Sequence, residues 1–272
     1  MKLIAIAACL CLVATAAHAD VTDIRAADNA LYGEIGIDHF KYGEDVSNAT
    51  FDTERGDLPH LRAGYAFLTG EKSSFLSNFM GDVRIDFSSG DTHYNGGVTN
   101  LNTGITTPYQ GMTHNQVVEL TTRWGKAFPL GNMLMLTPYA DLGYRYWQRE
   151  LTGSGGYTER YTNGILTAGA QVQFSPLRSL VVTAWGEAGT NFNAGMTTSG
   201  THYSLGQTEL WKFGAKAGYA LTDRLELTAS GDITGFGFGQ SQTITNGTTT
   251  SYEPDSYTHQ TEALVGFAYH LH

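Results

Sequence analysis

Phe79-Met80-Gly81-Asp82-Val83-Arg84-Ile85-Asp86-Phe87 is the stretch whose reading decides the fold. Phe79, Gly81, Val83, Ile85 and Phe87 fall on one side, and Met80, Asp82, Arg84 and Asp86 on the other. A repeat of two is that of a β-strand, because successive side chains point to opposite faces. The rhythm continues outward from this stretch. Val118, Leu120, Thr122, Trp124 and Phe128 oppose Glu119, Thr121, Arg123, Gly125 and Ala127, with Lys126 interrupting the apolar face. Leu134, Leu136, Pro138, Ala140, Leu142, Tyr144 and Tyr146 oppose Thr137, Tyr139, Asp141, Gly143 and Arg145. Near the C-terminus Ala263, Val265, Phe267, Tyr269 and Leu271 oppose Glu262, Leu264, Gly266, Ala268 and His270.

Soluble sandwiches and lipocalin-like barrels also alternate, so the environment must be read from the faces themselves. Two features favour lipid against the apolar face. The polar face carries charges in runs, together with many Gly and Thr. The apolar face is bounded by aromatics, namely Phe75, Phe87, Trp124, Phe128, Tyr144, Tyr146, Trp211, Tyr219 and Tyr269. Aromatic girdles at the membrane interface, around an apolar band and over a polar lumen, describe a transmembrane barrel. A soluble barrel would instead need a packed apolar interior. The expected fold class is therefore all-β, a closed antiparallel transmembrane up-and-down β-barrel.

Composition sets the outer limits. The 272 residues include 16 Lys+Arg against 26 Asp+Glu, a formal net charge of −10, which disfavours general nucleic-acid binding. The run Leu3–Ala16 followed by Ala17-His18-Ala19 has the layout of a secretory signal peptide, so residues 1–19 are expected to be cleaved. Residues 20–272 then form one barrel domain. Both cysteines, Cys9 and Cys11, leave with the leader, so no disulfide or thiolate metal site is expected in the mature chain. No later segment approaches the ~18 consecutive apolar residues of a membrane helix.

The expected strands are 30–42, 58–69, 74–88, 115–128, 133–150, 159–174, 180–192, 205–221, 225–238 and 258–271, ten in all. Short turns at 69–73, 129–132, 175–179 and 222–224 alternate with long polar connections at 43–57, 89–114, 193–204 and 239–257. The connection at 151–158, with its glycines, is shorter but belongs to the second series. An even number of strands with short turns at one end is the outer-membrane pattern. Eight or twelve strands remain open, because the connection 89–114 has room for a further hairpin.

With its leader, its alternation, the segment Leu136-Thr-Pro-Tyr-Ala-Asp-Leu-Gly-Tyr-Arg-Tyr146 and its aromatic last strand, the chain resembles small Gram-negative outer-membrane β-barrel proteins of porin-like or opacity-like type. The resemblance is generic and covers the whole mature chain. It implies an outer-membrane location, contact with outer-membrane lipid and lipopolysaccharide, barrel assembly machinery as a partner in biogenesis, and a monomer. In such proteins the last strand ends on an aromatic residue, whereas this chain ends on His272.

Chemistry is sought first among the inward charges. Asp82, Arg84, Asp86, Glu119, Arg123, Asp141 and Arg145 should share a lumen, with Arg149 nearer the outer end. Unpaired charges in a narrow interior are costly, so opposite signs on neighbouring strands should pair. Such a network reads as a plug, or alternatively as the selectivity region of a narrow channel for small solutes or ions. The omptin proteases are ten-stranded barrels with paired acids and a His–Asp dyad, but no omptin motif matches residue by residue. His202-Tyr203-Ser204 echoes the H-x-S-N pattern of outer-membrane acyl hydrolases. Both side chains would point into the barrel if the strand ran back from an inward Leu210, with Glu187 as a conceivable orienting acid; Leu205 stands where the pattern has Asn. Segment 43–57 holds Glu44, Asp45, Asp52, Glu54 and Asp57, and reads as a solvated acidic loop or a divalent-cation bridge to phosphorylated lipid. The nine His show no zinc spacing, so neither metal nor cofactor is expected. The functional expectation is a non-catalytic outer-membrane barrel with a structural, permeability or surface-interaction role.

Overall fold

The computed structural model describes residues 20–46, 49–70, 76–100, 105–153, 155–246 and 249–271. The leader, both cysteines, the expected girdle residue Phe75 and His272 lie outside the described residues. Ten long strands form the wall: β1 (Ala30–Val46), β2 (Ala49–Leu68), β3 (Phe79–Asn100), β4 (Ile105–Lys126), β5 (Leu134–Leu151), β6 (Thr158–Leu177), β7 (Leu180–Thr198), β8 (Glu209–Ala220), β9 (Leu225–Phe238) and β10 (Asp255–His270). Each pairs antiparallel with its neighbours in sequence. The ring closes where β1 meets β10, from Ala30↔His270 to Asp45↔Asp255. Closure leaves no free edge, so each strand finds a hydrogen-bonding partner on both sides.

Alternation is carried into three dimensions. Ile35, Leu61, Ile85, Leu120, Leu142, Leu166, Phe213, Ile233 and Val265 all point outward and are exposed. A continuous apolar exterior of this kind is unfavourable in water and suited to lipid. Phe67, Phe79 and Trp124 cluster at its short-turn edge, with Phe79 stacked on Trp124 at 5.9 Å. No helix among the described residues is long and apolar enough to cross a membrane.

The strand count is ten, and the connection 89–114 adds none to it. It is instead the continuation of β3 and β4, paired without a break to Asn100↔Ile105. Likewise 43–57 is the top of β1 and β2, paired to Val46↔Ala49, and not a solvated loop. Thr201–Ser204 pairs back on the end of β7, and Ile244–Asn246 pairs with Thr249–Ser251. These segments looked like loops because beyond the lipid band the outward face turns polar. Apolar–polar alternation then disappears although the strands go on.

One element was not expected. A short helix, α1 (Val21–Ala27), precedes β1, and Asp23 accepts the Asp20 N–H at its start at 2.9 Å. Val21 and Ile24 turn into the short-turn mouth of the barrel, against Leu68, Met80, Ala127, Met135, Tyr139 and Val181. Arg25 donates to Asn78 at 2.8 Å and Gln173 to Asp28 at 2.7 Å, tying the helix region to the rim. Asn78 sits in a turn at φ 55, a conformation that Asn tolerates better than most residues.

Candidate functional site

The lumen is where polar chemistry collects, and it is filled in layers. Above α1 lies the charge layer. Asp82, Arg84, Asp86, Glu119, Arg123, Asp141 and Arg145 all turn inward; Asp82 is half-buried and the other six are buried. Register sets the partners, since Asp82, Arg123 and Asp141 stand directly opposite one another on β3, β4 and β5. Arg123 grips Asp141 with two bonds of 2.9 Å and reaches Glu187 of β7 at 2.7 Å. Arg145 holds Glu119 at 2.6 Å, with Lys212 Nζ 3.7 Å away on its other side. Arg84 Nε lies 2.8 Å from Asp86 Oδ2, and Tyr32 donates to Asp82 at 2.9 Å.

Asp86 and Glu119 are like charges at directly opposite positions, which alone would be unfavourable. Arg62 of β2 resolves the conflict by donating to Asp86 at 2.6 Å, to Asp232 of β9 at 3.2 Å and to Glu262 of β10 at 2.5 Å. Arg62 and Asp232 are not singled out by the sequence pattern, and Glu262 appears there only as part of the polar face of the last strand, because charge is densest on β3 to β5. The signal for Arg62 was present in its outward neighbours Leu61 and Ala63.

His60 stands beside this network. Its Nδ1 is 3.0 Å from Ser88 Oγ and its Nε2 is 3.1 Å from Asp86 Oδ1. A serine, an imidazole and a carboxylate in series are the parts of an activated nucleophile. The cavity they line with Glu262 and Lys212 measures about 10 Å³, enough for one water and no more.

Beyond the charge layer comes an aromatic one. Trp147 is 1% exposed, stacks on Tyr161 at 4.8 Å, and meets Phe40 and Tyr42 edge-on. Tyr161 stacks in turn on Phe238 at 5.4 Å. Arg145 lies over Phe236 at 3.7 Å, which joins the two layers by a cation–π contact.

At the long-hairpin end, above the lipid band, is a cluster that joins Arg149 and Glu159, expected on strands, to Glu44, Asp52, Glu54 and Glu253, expected in long connections. Glu44, Asp52, Glu54, Glu159 and Glu253 are all buried around the single guanidinium of Arg149. Arg149 bonds Glu54 at 2.6 Å and Glu159 at 2.5 Å. Tyr161 Oη lies 3.0 Å from Glu159 and 2.6 Å from Glu253. A hydroxyl has one proton, so one of these two contacts is made by a protonated acid. Burial pushes the Glu253 carboxyl well above the usual carboxylate range, with Glu159 and Glu44 adding to the effect. Tyr161 Oη thus bridges the two acids. Burial likewise pushes Glu44 up to about 8, against the downward pull of Arg149.

The remaining candidates separate. Phe87, Trp124, Phe128, Tyr144, Tyr219 and Tyr269 are outward and exposed, while Tyr146 and Trp211 are outward and half-buried. His202 and Ser204 do not point into the barrel. Both are exposed, and only Tyr203 between them turns inward. The strand breaks at 205–208, so counting back from Leu210 loses the parity. Glu187 is far from them in function, held by Arg123 and by Tyr139 at 2.9 Å.

Comparison with known proteins gives a fold and no family. No family model and no curated protein matches the chain. Among solved structures, the outer membrane protease OmpT from Escherichia coli is similar, with a TM-score of 0.61 at 7% identity, over 90% of this chain and 97% of that one. The translocator domain of autotransporter NalP from Neisseria meningitidis gives 0.41 at 12% identity, over 92% of each chain. Neisserial surface protein A gives 0.33 at 11% identity, over 89% of this chain and 97% of that one. The chain has the fold of an outer-membrane β-barrel.

Proposed function

We propose that this protein is a closed, non-conducting and non-catalytic barrel of the outer membrane that displays a rigid β-wall at the cell surface. The observation that carries the reading is a lumen crossed in turn by α1, the ion-pair layer and the aromatic layer. A cavity of about 130 Å³ is lined by Tyr32, Glu34, Arg84 and Trp185 among others, and a larger one of about 530 Å³ at the short-turn mouth by Ala27, Val181, Glu226 and His270 among others. No residue of the aromatic layer lines either cavity, so neither runs the length of the lumen. Short turns at one end and long hairpins at the other orient such barrels with the hairpins outside. Outer-leaflet lipid, including lipopolysaccharide, is its lasting partner, and the assembly machinery its transient one.

The test is insertion of refolded protein into planar bilayers. No discrete current steps are expected up to the voltage at which the bilayer fails. Reproducible ohmic steps would overturn the closed reading in favour of a solute channel. Lipid deacylation and peptide cleavage assays on the same material, with Ser88→Ala as control, should read at background. Activity lost in that variant would make the Ser88–His60–Asp86 series a catalytic one.

A further inference from the structure

The outer wall holds an arrangement that the filled lumen does not explain. Just beyond the apolar band, four successive cross-strand positions on neighbouring strands are all basic. His259 of β10 stands opposite Lys41 of β1, Lys41 opposite Arg55 of β2, and Arg55 opposite His93 of β3. All four point outward; Arg55, His93 and His259 are exposed and Lys41 is half-exposed. Like charges directly opposite one another destabilise a sheet. Among the described residues no carboxylate forms a salt bridge with any of the four.

Among the described residues, the acids nearest the row on this face each have another partner. Two residues further out lie Tyr257, Gly43, Thr53 and Asn95, none of them acidic. Two residues inward lie Thr261, His39, Asp57 and Asp91. Both of these acids are already engaged, Asp57 with His39 and Asp91 with His114, each at 2.7 Å. On the β9 side the position opposite His259 is Gly235, and the Trp211 ring of β8 reaches across to within 6.0 Å of the His259 ring. Lys41 Nζ lies 5.9 Å from the Tyr257 ring. Below the row the wall is apolar at Ile37, Leu61, Phe87 and Val265, all exposed.

We propose that the row Lys41–Arg55–His93–His259 is a docking surface for the phosphorylated headgroup of a lipid in the surrounding leaflet. The inference rests on the long-hairpin end facing outward and deepens the surface role proposed above. A phosphate set against Lys41 and Arg55 lifts the like-charge conflict, while its acyl chains run down the apolar wall beneath. Trp211 and Tyr257 flank the site at the depth where aromatic residues meet headgroups.

The refolded full chain in neutral micelles is titrated with short-chain phosphatidic acid and, separately, with phosphatidylcholine of the same chains. Retained lipid is counted by native mass spectrometry at pH 7.5. A preference of roughly tenfold for phosphatidic acid is expected. It should fall to parity in K41Q/R55Q. Heat-modifiable migration on a gel checks that each variant folds, and single K41Q and R55Q variants replace the double one if it does not. Equal retention of both lipids by the parent, or an unchanged preference in folded K41Q and R55Q variants, overturns the proposal. Inorganic phosphate competing at the same concentration as the lipid also overturns it, leaving a free-anion site. Bilayer current would sink the closed-barrel reading without touching this one, so the two failures are distinguishable.

Discussion

Arg62 of β2 reaches past the whole width of β1 to place its guanidinium 2.5 Å from Glu262 of β10, a residue 200 positions away in the chain. One buried cation thus braces the seam at which the barrel closes. Replacing it with Met leaves Asp232 and Glu262 without their main cationic partner. Breaking a buried ion cluster by removing one partner costs about 3–5 kcal/mol. Arg62→Met should lower stability by that order in urea titration of the refolded protein in micelles. A change near zero would mean that water, not Arg62, solvates these acids.

Closure in layers predicts redundancy. Deleting Val21–Ala27 removes the helix from the short-turn mouth but leaves the charge and aromatic layers in place. The truncated barrel should still pass no current in planar bilayers. Trp147→Ala should cost about 3–5 kcal/mol, the usual range for emptying a buried aromatic site. Current from the helix deletion alone would show that α1 is the sole barrier.

Stability of the long-hairpin end should fall as pH rises. Glu44 has its carboxyl raised to about 8, so the folded state holds a proton that the unfolded chain releases near 4.5. Between those values folding binds protons, and the stability they contribute is present below about 4.5 and lost as pH rises through about 8. Glu253 is raised in the same sense, and its segment links β9 to β10. Hydrogen exchange in 239–254 should therefore be faster at pH 9 than at pH 6 after correction for intrinsic rates. Glu44→Gln should weaken that contrast, and an unchanged contrast in this variant would remove Glu44 from the explanation.

Gly266 marks a second constraint on the seam. A Cβ at this inward position would lie 2.0 Å from the Gly33 carbonyl oxygen and 2.6 Å from Glu34 Cα. Those are backbone atoms of the facing strand and cannot turn aside. Gly266→Ala should therefore force β10 away from β1 and cost about 1–3 kcal/mol. Slower refolding, read from the heat-modifiable gel shift, is the expected sign; wild-type rates and stability would show that the strands separate at little cost.

The barrel itself was legible from the chain because lipid forces an apolar residue at every second outward position, as in Val83, Ile85 and Phe87. The inward charges were legible for the same reason, being what remains. The tops of β1 to β4 were not. Glu44, Glu54, Thr92 and Asn115 face a polar interior while Asp45, Asp57 and Asp91 face water, so neither face announces itself. Glu253 and Arg149 meet only through the closed ring, across about a hundred residues, and no local pattern encodes that contact. Helix α1 was hidden by its brevity, at seven residues with only Val21 and Ile24 buried.

The paired tops of β3 and β4 have a consequence for what other cells, phages and antibodies can see. Asn100 lies thirteen positions along the chain from Phe87, at the edge of the greasy band. At roughly 3.3 Å per residue the hairpin is about 40 Å long beyond that edge, less the tilt of the strands. In the outward orientation, a saccharide coat would shield the flanks of this mast and leave its tip uncovered. Antigenic variation should then concentrate near Gly96–Asn100 and Ile105–Tyr109, while the flanks below drift slowly.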